Sequence, residues 1–419
     1  MPIALERIKM TDNHNSLSVL NITLDFGNEP VPVGRLATKD RCIYFEYDAA
    51  FLKQNLNISP FNLPLKTGVQ SFEPHLFEGL PGVFNDSLSD GWGRLLLDRM
   101  LRSKGFLPGS FSPLDRLAHV GCNGMGALVY EPDCSEVSAN KALNLDALAD
   151  QSRQVLEGDA KIVLEELLAL NGSSAGARPK AMIGVSVDKT QIIEGRDNPG
   201  EGYESWLVKF PNISDGQDAG AVEFVYAQMV KLAGITMTES HLFPSAKGAG
   251  YFATKRFDRL SGGGRVHVHT ACGLLHSDFR VPSLDYQDLI KATMVLTRDI
   301  REAQDMYRLA VFNVLSHNRD DHAKNFSFLM DRRGKWRMAP AYDLTFSSGP
   351  SGEQSTMVMG EGKNPGVQHL IKLAQTADLS KIEAQKIIDQ TCTALSQWKT
   401  LASHAGVSKD TIERVDGKI

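Results

Sequence analysis

The chain has 419 residues, enough for two or three domains that each bury a core. With 42% hydrophobic and 23% charged residues it has the composition of a soluble globular protein, and a net charge of −5 argues against binding nucleic acid alone through a broad basic face. No apolar run approaches the ~18–20 residues of a membrane-spanning helix, the N-terminal stretch lacks the apolar core of a signal peptide, and the five cysteines form no C-x-x-C pair, which points to a cytoplasmic location, reduced thiols and no zinc site.

Residues 1–135 open with three short alternating segments, Leu17–Phe26, Pro32–Leu36 and Arg41–Tyr47, separated by Gly, Pro, Asn and Asp. They predict strands of an antiparallel sheet. A helix follows over Asp90–Ser103, with Asp86 or Ser89 as its cap, Leu95, Leu96 and Met100 on its apolar side and Gly105 as its stop. SPLDRLAHVGCNGMGALVYEP then reads as a short helix, a glycine-rich turn and a strand. Gly121, Gly124 and Gly126 lack the strand-before, helix-after setting of a dinucleotide fingerprint, so a structural turn is the better reading. No catalytic constellation occurs in this region, and a docking or regulatory role is expected of it.

Between residues 136 and 275, Asn144–Leu170 carries apolar residues at helical spacing with a break near Gly158, which predicts two helices. They lead into NGSSAGARPKAMIGVSV, where Gly172, Gly176, Arg178 and Lys180 make a glycine-rich passage. It is not a Walker loop, because the adjacent Gly-Lys-Ser/Thr is missing. It can cover phosphates with backbone N–H groups, and it serves equally well as an ordinary loop before a hairpin. Lys209 lies in the apolar strand ESWLVKFP, and Glu223 is placed on the first turn of a helix over Gly220–Ala233. A lysine in such a strand commonly reaches solvent from a sheet edge, and a glutamate there commonly stabilises a helix N-terminus. The same pair in that order is how kinases hold the α- and β-phosphates. Gly250–Asp258 and Gly264–Thr270 look like a hairpin around Ser261–Gly263.

Helices dominate residues 276–419, at Tyr286–Leu296, Ile300–Leu315, Gly366–Ala374 and Ser380–Ala405. The stretch Leu309–Phe346 organises the chain. An apolar helical run ends at a cluster of Asp320, Asp321, His322, Lys324 and Asn325, followed by a hairpin of Phe326–Met330 and Trp336–Ala339 that delivers Asp343. Asp320 and Asn325 have the D-x-x-x-x-N spacing of a kinase catalytic loop, and Asp343 stands where a metal-holding aspartate is needed. Asp321 lacks that spacing and reads as a structural neighbour. The polar passage Ser347–Gly366 reads as a loop near the site, an acceptor-binding surface or a simple linker.

Taken together, SSAGARPKA, WLVKFP, TKRFDR, NRDDHAKNFSFL and APAYDLTFS, with FEGLPGVFNDSLSDGWGRLLLDR and RLAHVGCNGMGALVY before them, resemble the HipA-type serine/threonine kinases, toxins of bacterial toxin–antitoxin modules. The resemblance runs over nearly the full length. It implies an α+β, two-lobed protein-kinase-like architecture with a HipA-like N-terminal region over 1–135, the nucleotide-binding part over 136–275 and a mainly helical catalytic part over 276–419. It implies ATP and Mg²⁺ as cofactors and a protein serine or threonine as acceptor, in known members on an aminoacyl-tRNA synthetase. Carried over by position, Asp320 is the base, Asn325 and Asp343 hold Mg²⁺, and Lys209 binds phosphates. Ala175, Gly176, Ala177, Arg178, Pro179 and Lys180 form the phosphate loop, Lys255, Arg256 and Phe257 border the adenine, and His322, Lys324 and Tyr342 lie beside the nucleotide. Ser173 occupies the family's autophosphorylation position, with Ser174 adjacent. The implied partner is a helix-turn-helix antitoxin that binds operator DNA, so that this chain meets DNA indirectly. His317 lies three residues before Asp320 rather than two, unlike the His-Arg-Asp of eukaryotic kinases, and receives no role. A small-molecule phosphotransferase, a metal-dependent hydrolase built on Asp320, Asp321, His322 and Asp343, and a non-enzymatic co-repressor are the other readings of these residues.

Overall fold

The computed structural model describes residues 16–135, 141–158, 164–171, 176–195, 198–213 and 215–419. These form two compact units, one made of Met1–Leu207, Asp258–His269 and Met330–Gly334, the other of Val208–Phe257, Thr270–Leu329 and Lys335–Ile419. The fold class is α+β, as the sequence implies.

The first unit begins with a five-stranded antiparallel sheet in the order β4-β3-β2-β1-β5, from β1 (Val19–Leu24), β2 (Val31–Lys39), β3 (Cys42–Tyr47), β4 (Gln70–Ser71) and β5 (Leu128–Glu131). The period-two alternation predicted from sequence is visible in β1, where Leu20, Ile22 and Leu24 are buried while Val19 and Asn21 face out. The helix Gly91–Ser103 buries Trp92, Leu96, Leu97, Met100 and Leu101. Neither Asp86 nor Ser89 caps it. Asp90 stands at the N-cap position and makes no cap hydrogen bond, because its carboxylate is committed elsewhere. The short helix Pro113–Val120 has a full capping box between Ser112 and Asp115, with proline in the first turn.

The glycine-rich turn is structural. The Gly126 N–H donates to Asp258 Oδ2 at 2.7 Å, Arg259 donates to the carbonyls of Gly126 (2.9 Å) and Gly124 (2.8 Å), and Arg265 donates to Cys122 O at 3.0 Å. The turn thus spends its carbonyls on two buried arginines. Two helices, Leu145–Glu157 and Leu164–Asn171, follow as expected, the first ending at Gly158 in the left-handed conformation (φ 97°). They precede the hairpin of β6 (Lys180–Ser186) and β7 (Ile192–Glu194). The strand β8 (Tyr203–Lys209) carries the chain into the second unit.

In the second unit the helix Ala219–Leu232 is followed by antiparallel β9 (Ser240–Phe243) and β10 (Tyr251–Lys255). The hairpin expected around Ser261–Gly263 does not form as such. β10 pairs with β9, and Arg259 and Arg265 make an isolated bridge beside the 3₁₀ turn Ser261–Gly263. The core lies among the helices Tyr286–Thr297, Ile300–Leu315 and Lys381–Leu395, with Tyr226, Tyr286, Tyr307 and Phe312 fully buried. Each such aromatic stabilises the fold by roughly 1.5–3 kcal/mol through burial.

The single helix expected over Ser380–Ala405 is two, Lys381–Leu395 and Trp398–His404. The break turns Trp398 inward, where its ring stands edge-on to Tyr226 at 6.0 Å and its Nε1 donates to Ile412 O at 3.0 Å. A further helix, Lys409–Asp416, was not evident in the sequence pattern. Among the described residues no helix is long and apolar enough to cross a membrane.

Candidate active site

Lys209 ends β8, and its side chain is only 10% exposed. Its ammonium lies 2.5 Å from Glu223 Oε1 and 2.5 Å from Asp343 Oδ1. Lys209 therefore does not reach solvent from a sheet edge. Glu223 is likewise not a first-turn residue. The helix starts at Ala219, which places Glu223 in its second turn with its carboxylate buried. Burial works to lower the Lys209 pKa, but the facing carboxylates of Asp343 and Glu223 outweigh it and hold the pKa raised. The lysine is a fixed cation at any working pH. Asp343, one third exposed, adopts a left-handed backbone (φ 56°), tolerated by Asp better than by most residues.

After the helix Ile300–Leu315 the chain enters the polar cluster. Asp320 is exposed, and Asn325 donates from Nδ2 to the Asp320 carbonyl at 2.7 Å, closing the D-x-x-x-x-N segment on itself. That bond orients the amide so that Oδ1 is turned away as an acceptor. Asp321 behaves in the opposite way. It is 1% exposed and receives Tyr286 OH (2.5 Å) and Gln354 Nε2 (3.0 Å) on Oδ2, and the N–H groups of Ser355 (3.0 Å) and Thr356 (3.1 Å) on Oδ1. Burial pushes its carboxyl up to about 7, against the hydrogen bonds from Tyr286, Gln354 and Thr356.

The neighbouring aromatic residues form two groups. The Phe279 ring lies 5.4 Å from that of His322, and Lys324 Nζ stands 4.7 Å over it. His322 Nδ1 is buried and has no hydrogen-bond partner among the described residues, an orphan that a bound ligand can satisfy. In the second group the Tyr342 hydroxyl is 2.6 Å from Ser327 Oγ and donates to Lys324 O at 2.5 Å, while its ring lies 5.6 Å from that of Phe257. Lys255 ends β10 and Arg256 beside it is buried.

The structure thus brings together Lys209, Glu223 and Asp343. It joins Asp320 to Asn325, His322 to Lys324 through Phe279, and Phe257 to Tyr342 and Lys324. The glycine-rich passage belongs to the first unit. Ser173, Ser174 and Ala175 lie outside the described residues. Gly176 N donates to the Asp90 carboxylate and Gly176 O accepts from Trp92 N at 3.0 Å, while Ala177 is exposed, Arg178 half-buried, and Pro179 and Lys180 buried. Sequence reasoning missed Phe279 and the donors around Asp321. Phe279 carries no motif, and Gln354–Thr356 lie inside a stretch read as a polar loop near the site, either an acceptor-binding surface or a linker.

Residues 172–398 match the HipA-like C-terminal domain and residues 27–131 the HipA N-terminal domain. The chain belongs to the HipA family. It is 28% identical over 183 residues to the putative kinase Y4mE of Sinorhizobium fredii, covering 41% of this chain and 37% of that protein. It is 30% identical over 104 residues to the serine/threonine-protein kinase toxin HipA of Shewanella oneidensis, covering 25% of this chain and 22% of that one. The matched stretches therefore span well under half the length of these relatives. Among solved structures, HipA in the Shewanella oneidensis MR-1 complex of HipA, HipB and operator DNA superposes with a TM-score of 0.68 over 95% of this chain and 94% of that one, at 16% identity. This likeness establishes a HipA fold over nearly the whole chain.

Asn325 Oδ1 and the Asp343 carboxylate are oxygen ligands of the kind Mg²⁺ prefers, and Mg²⁺ completes its shell with water and phosphate. Among the described residues no group of three or more His, Cys, Asp or Glu is placed to hold a metal ion.

Proposed function

We propose that this chain is an Mg²⁺- and ATP-dependent serine/threonine protein kinase, the toxin of a toxin–antitoxin pair. The observation that carries the reading is the lysine held between two carboxylates, Glu223 from a helix and Asp343 from beyond the D-x-x-x-x-N segment. A buried cation so fixed is the phosphate anchor that phosphoryl transfer requires, and a merely structural ion pair needs only one partner. Lys209 binds the α- and β-phosphates. Phe257 and the Lys255–Arg256 backbone border the base, and His322, Lys324 and Tyr342 line the nucleotide. Residues 175–180 are the candidate phosphate loop by family resemblance. Asp320, exposed to an incoming substrate, orients the acceptor hydroxyl and takes its proton as the oxygen attacks the γ-phosphorus and the bond from phosphorus to the bridging oxygen breaks, releasing ADP. Asn325 and Asp343 hold Mg²⁺, which when bound neutralises charge on the transferred group.

In this reading the acceptor is a protein serine or threonine, by family precedent on an aminoacyl-tRNA synthetase. Ser173, with Ser174 beside it, is the autophosphorylation site. A HipB-like helix-turn-helix antitoxin is the partner, and operator DNA is met through it, in keeping with the net charge of −5. A metal-dependent hydrolase loses support because Asp321 spends its carboxylate on four protein donors.

The test is phosphopeptide mass spectrometry after incubation with Mg²⁺·ATP, with and without cell extract, for the wild type and Asp320→Asn. The kinase reading expects phosphate on Ser173 or Ser174 and on an extract protein, both lost in the variant. Full incorporation by Asp320→Asn would overturn it. Turnover that needs a small alcohol or amine and no protein would replace it with a small-molecule phosphotransferase.

A further inference from the structure

Asp320 is exposed. The peptide on either side of it is held by Ser347 and by the short run Gln354–Thr356. Arg319 N donates to Ser347 O at 3.3 Å, and Arg319 O accepts from Ser355 N (3.0 Å) and from Ser355 Oγ (2.9 Å). Asp321 O accepts from Thr356 Oγ1 at 2.5 Å, and Asn318 O accepts from Gln354 Nε2 at 2.9 Å. Gln354–Thr356 lie about thirty-five residues away in the chain, and what ties them in place is the side chain next to the base: Asp321 accepts from the backbone N–H of both Ser355 and Thr356 and from the Gln354 amide. Tyr286, whose hydroxyl is shared by Asp321 Oδ2 and Asn313 Nδ2 (2.9 Å), fixes the carboxylate to the helix Tyr286–Thr297 from behind.

We infer that Asp321 is a positioning residue for the phosphoryl transfer proposed above, a buried clasp that holds Gln354–Thr356 against the backbone on both sides of Asp320 and so aims the base at the acceptor hydroxyl. The inference rests on the kinase reading for its catalytic consequence and on this geometry for the clasp itself. A buried carboxylate with four donors is an expensive device where packing alone would serve, since removing its charge from water costs several kcal/mol before hydrogen bonds offset it. Its place one residue from the base explains the expense. A plain core position would accept an apolar side chain. This assigns the first part of the polar stretch Ser347–Gly366 a function: Gln354–Thr356 is a rail for the catalytic segment, buried at 3%, 6% and 0% exposure, rather than a linker.

The experiment compares wild type, Asp321→Asn, Ser355→Ala and Ser355→Thr by steady-state kinetics, nucleotide binding and amide hydrogen exchange. In Asp321→Asn a neutral amide oxygen replaces the carboxylate as acceptor for the two backbone N–H groups, which weakens both bonds, and the NH₂ faces Gln354 Nε2 and a Tyr286 hydroxyl already receiving Asn313. The expected result is a kcat lower by about tenfold to a hundredfold, with KM for ATP and nucleotide Kd within about twofold, because a misaimed base costs rate rather than nucleotide affinity. Ser355→Ala removes only the hydroxyl bond to Arg319 O and is expected to lower kcat about threefold to tenfold, while Ser355→Thr restores it. A purely structural role would lower the melting temperature and leave kcat per folded molecule unchanged. Wild-type kcat in folded Asp321→Asn overturns the inference, and should that variant not fold, wild-type kcat in Ser355→Ala does so. Exchange at the Ser355 and Thr356 amides reads the clasp without catalysis. Unchanged protection in Asp321→Asn refutes the clasp even if no phosphotransfer is found, whereas an inactive wild type with a clasp that loosens on substitution refutes only the kinase reading.

Discussion

Asn325 donates its side-chain N–H to the carbonyl oxygen of Asp320 at 2.7 Å, so the two ends of the D-x-x-x-x-N segment are joined to each other. This bond decides which atom of the amide is presented outward. Asn325→Asp adds negative charge, which on Coulomb grounds alone would tighten Mg²⁺, yet the new carboxylate cannot donate and is repelled by the Asp320 carbonyl. The expected outcome is a Mg²⁺ requirement for ATP turnover raised by about tenfold or more in Asn325→Asp and Asn325→Ala alike, since orienting contacts of this kind are worth about 10–100-fold in metal affinity. Titrating Mg²⁺ against turnover checks it, and tighter binding by Asn325→Asp would show that the bond does not orient the ligand.

The three charges of Lys209, Glu223 and Asp343 are not equivalent. Replacing Glu223 by Gln leaves the lysine still paired with Asp343, whereas Lys209→Met leaves the buried Glu223 carboxylate without its ammonium. Lys209→Met is therefore expected to cost about 3–5 kcal/mol of stability and Glu223→Gln clearly less, with the double variant Lys209→Met/Glu223→Gln recovering part of the loss. Chemical denaturation of the three proteins reads this. Nucleotide binding should fall in both variants that lack the lysine.

Asp321 gives a pH signature of known sign. Burial pushes its carboxyl up to about 7 in the folded chain, against about 4 for an unfolded aspartate. Between those values the folded state binds the extra proton, so this group's contribution makes the fold less stable as pH rises from about 4 to about 7 and flat above. Asp321→Asn removes that slope. Denaturation midpoints for wild type and variant at pH 5 and pH 8 should differ more at pH 5, in the wild type's favour.

Gly176 is held within its own unit: its N–H donates to Asp90 and its carbonyl accepts from Trp92 N at 3.0 Å. Gly91 permits this approach: a Cβ there would lie 2.6 Å from Gly176 O, on a backbone with φ +40°. Gly91→Ala is expected to lower the melting temperature by several degrees, corresponding to about 1–3 kcal/mol. Asp90→Ala should raise hydrogen exchange at Gly176 with a smaller loss of stability, of about 1 kcal/mol. Calorimetry and exchange mass spectrometry measure the two effects.

The sequence by itself marked out the candidate site residues and determined most of the elements that carry them. β1 and the helix Ile300–Leu315 announce themselves by period-two and helical spacing of apolar side chains, and Asp320 and Asn325 by a spacing short enough to lie within one segment. The break before Trp398 was not legible, because the local pattern stays helical through it and the reason for the turn is Tyr226 on a distant helix. Glu223 read locally as a helix-terminus residue, and only the tertiary structure, by burying it against Lys209, made it that lysine's ion-pair partner. Asp321 marks the same boundary most sharply. Next to Asp320 in the chain and identical in type, it is driven to the opposite role by burial and by donors from Tyr286, Gln354, Ser355 and Thr356. Local spacing can say that two carboxylates are present. Which one meets water and which one is enclosed depends on partners about thirty-five residues away, and only the folded chain brings those together.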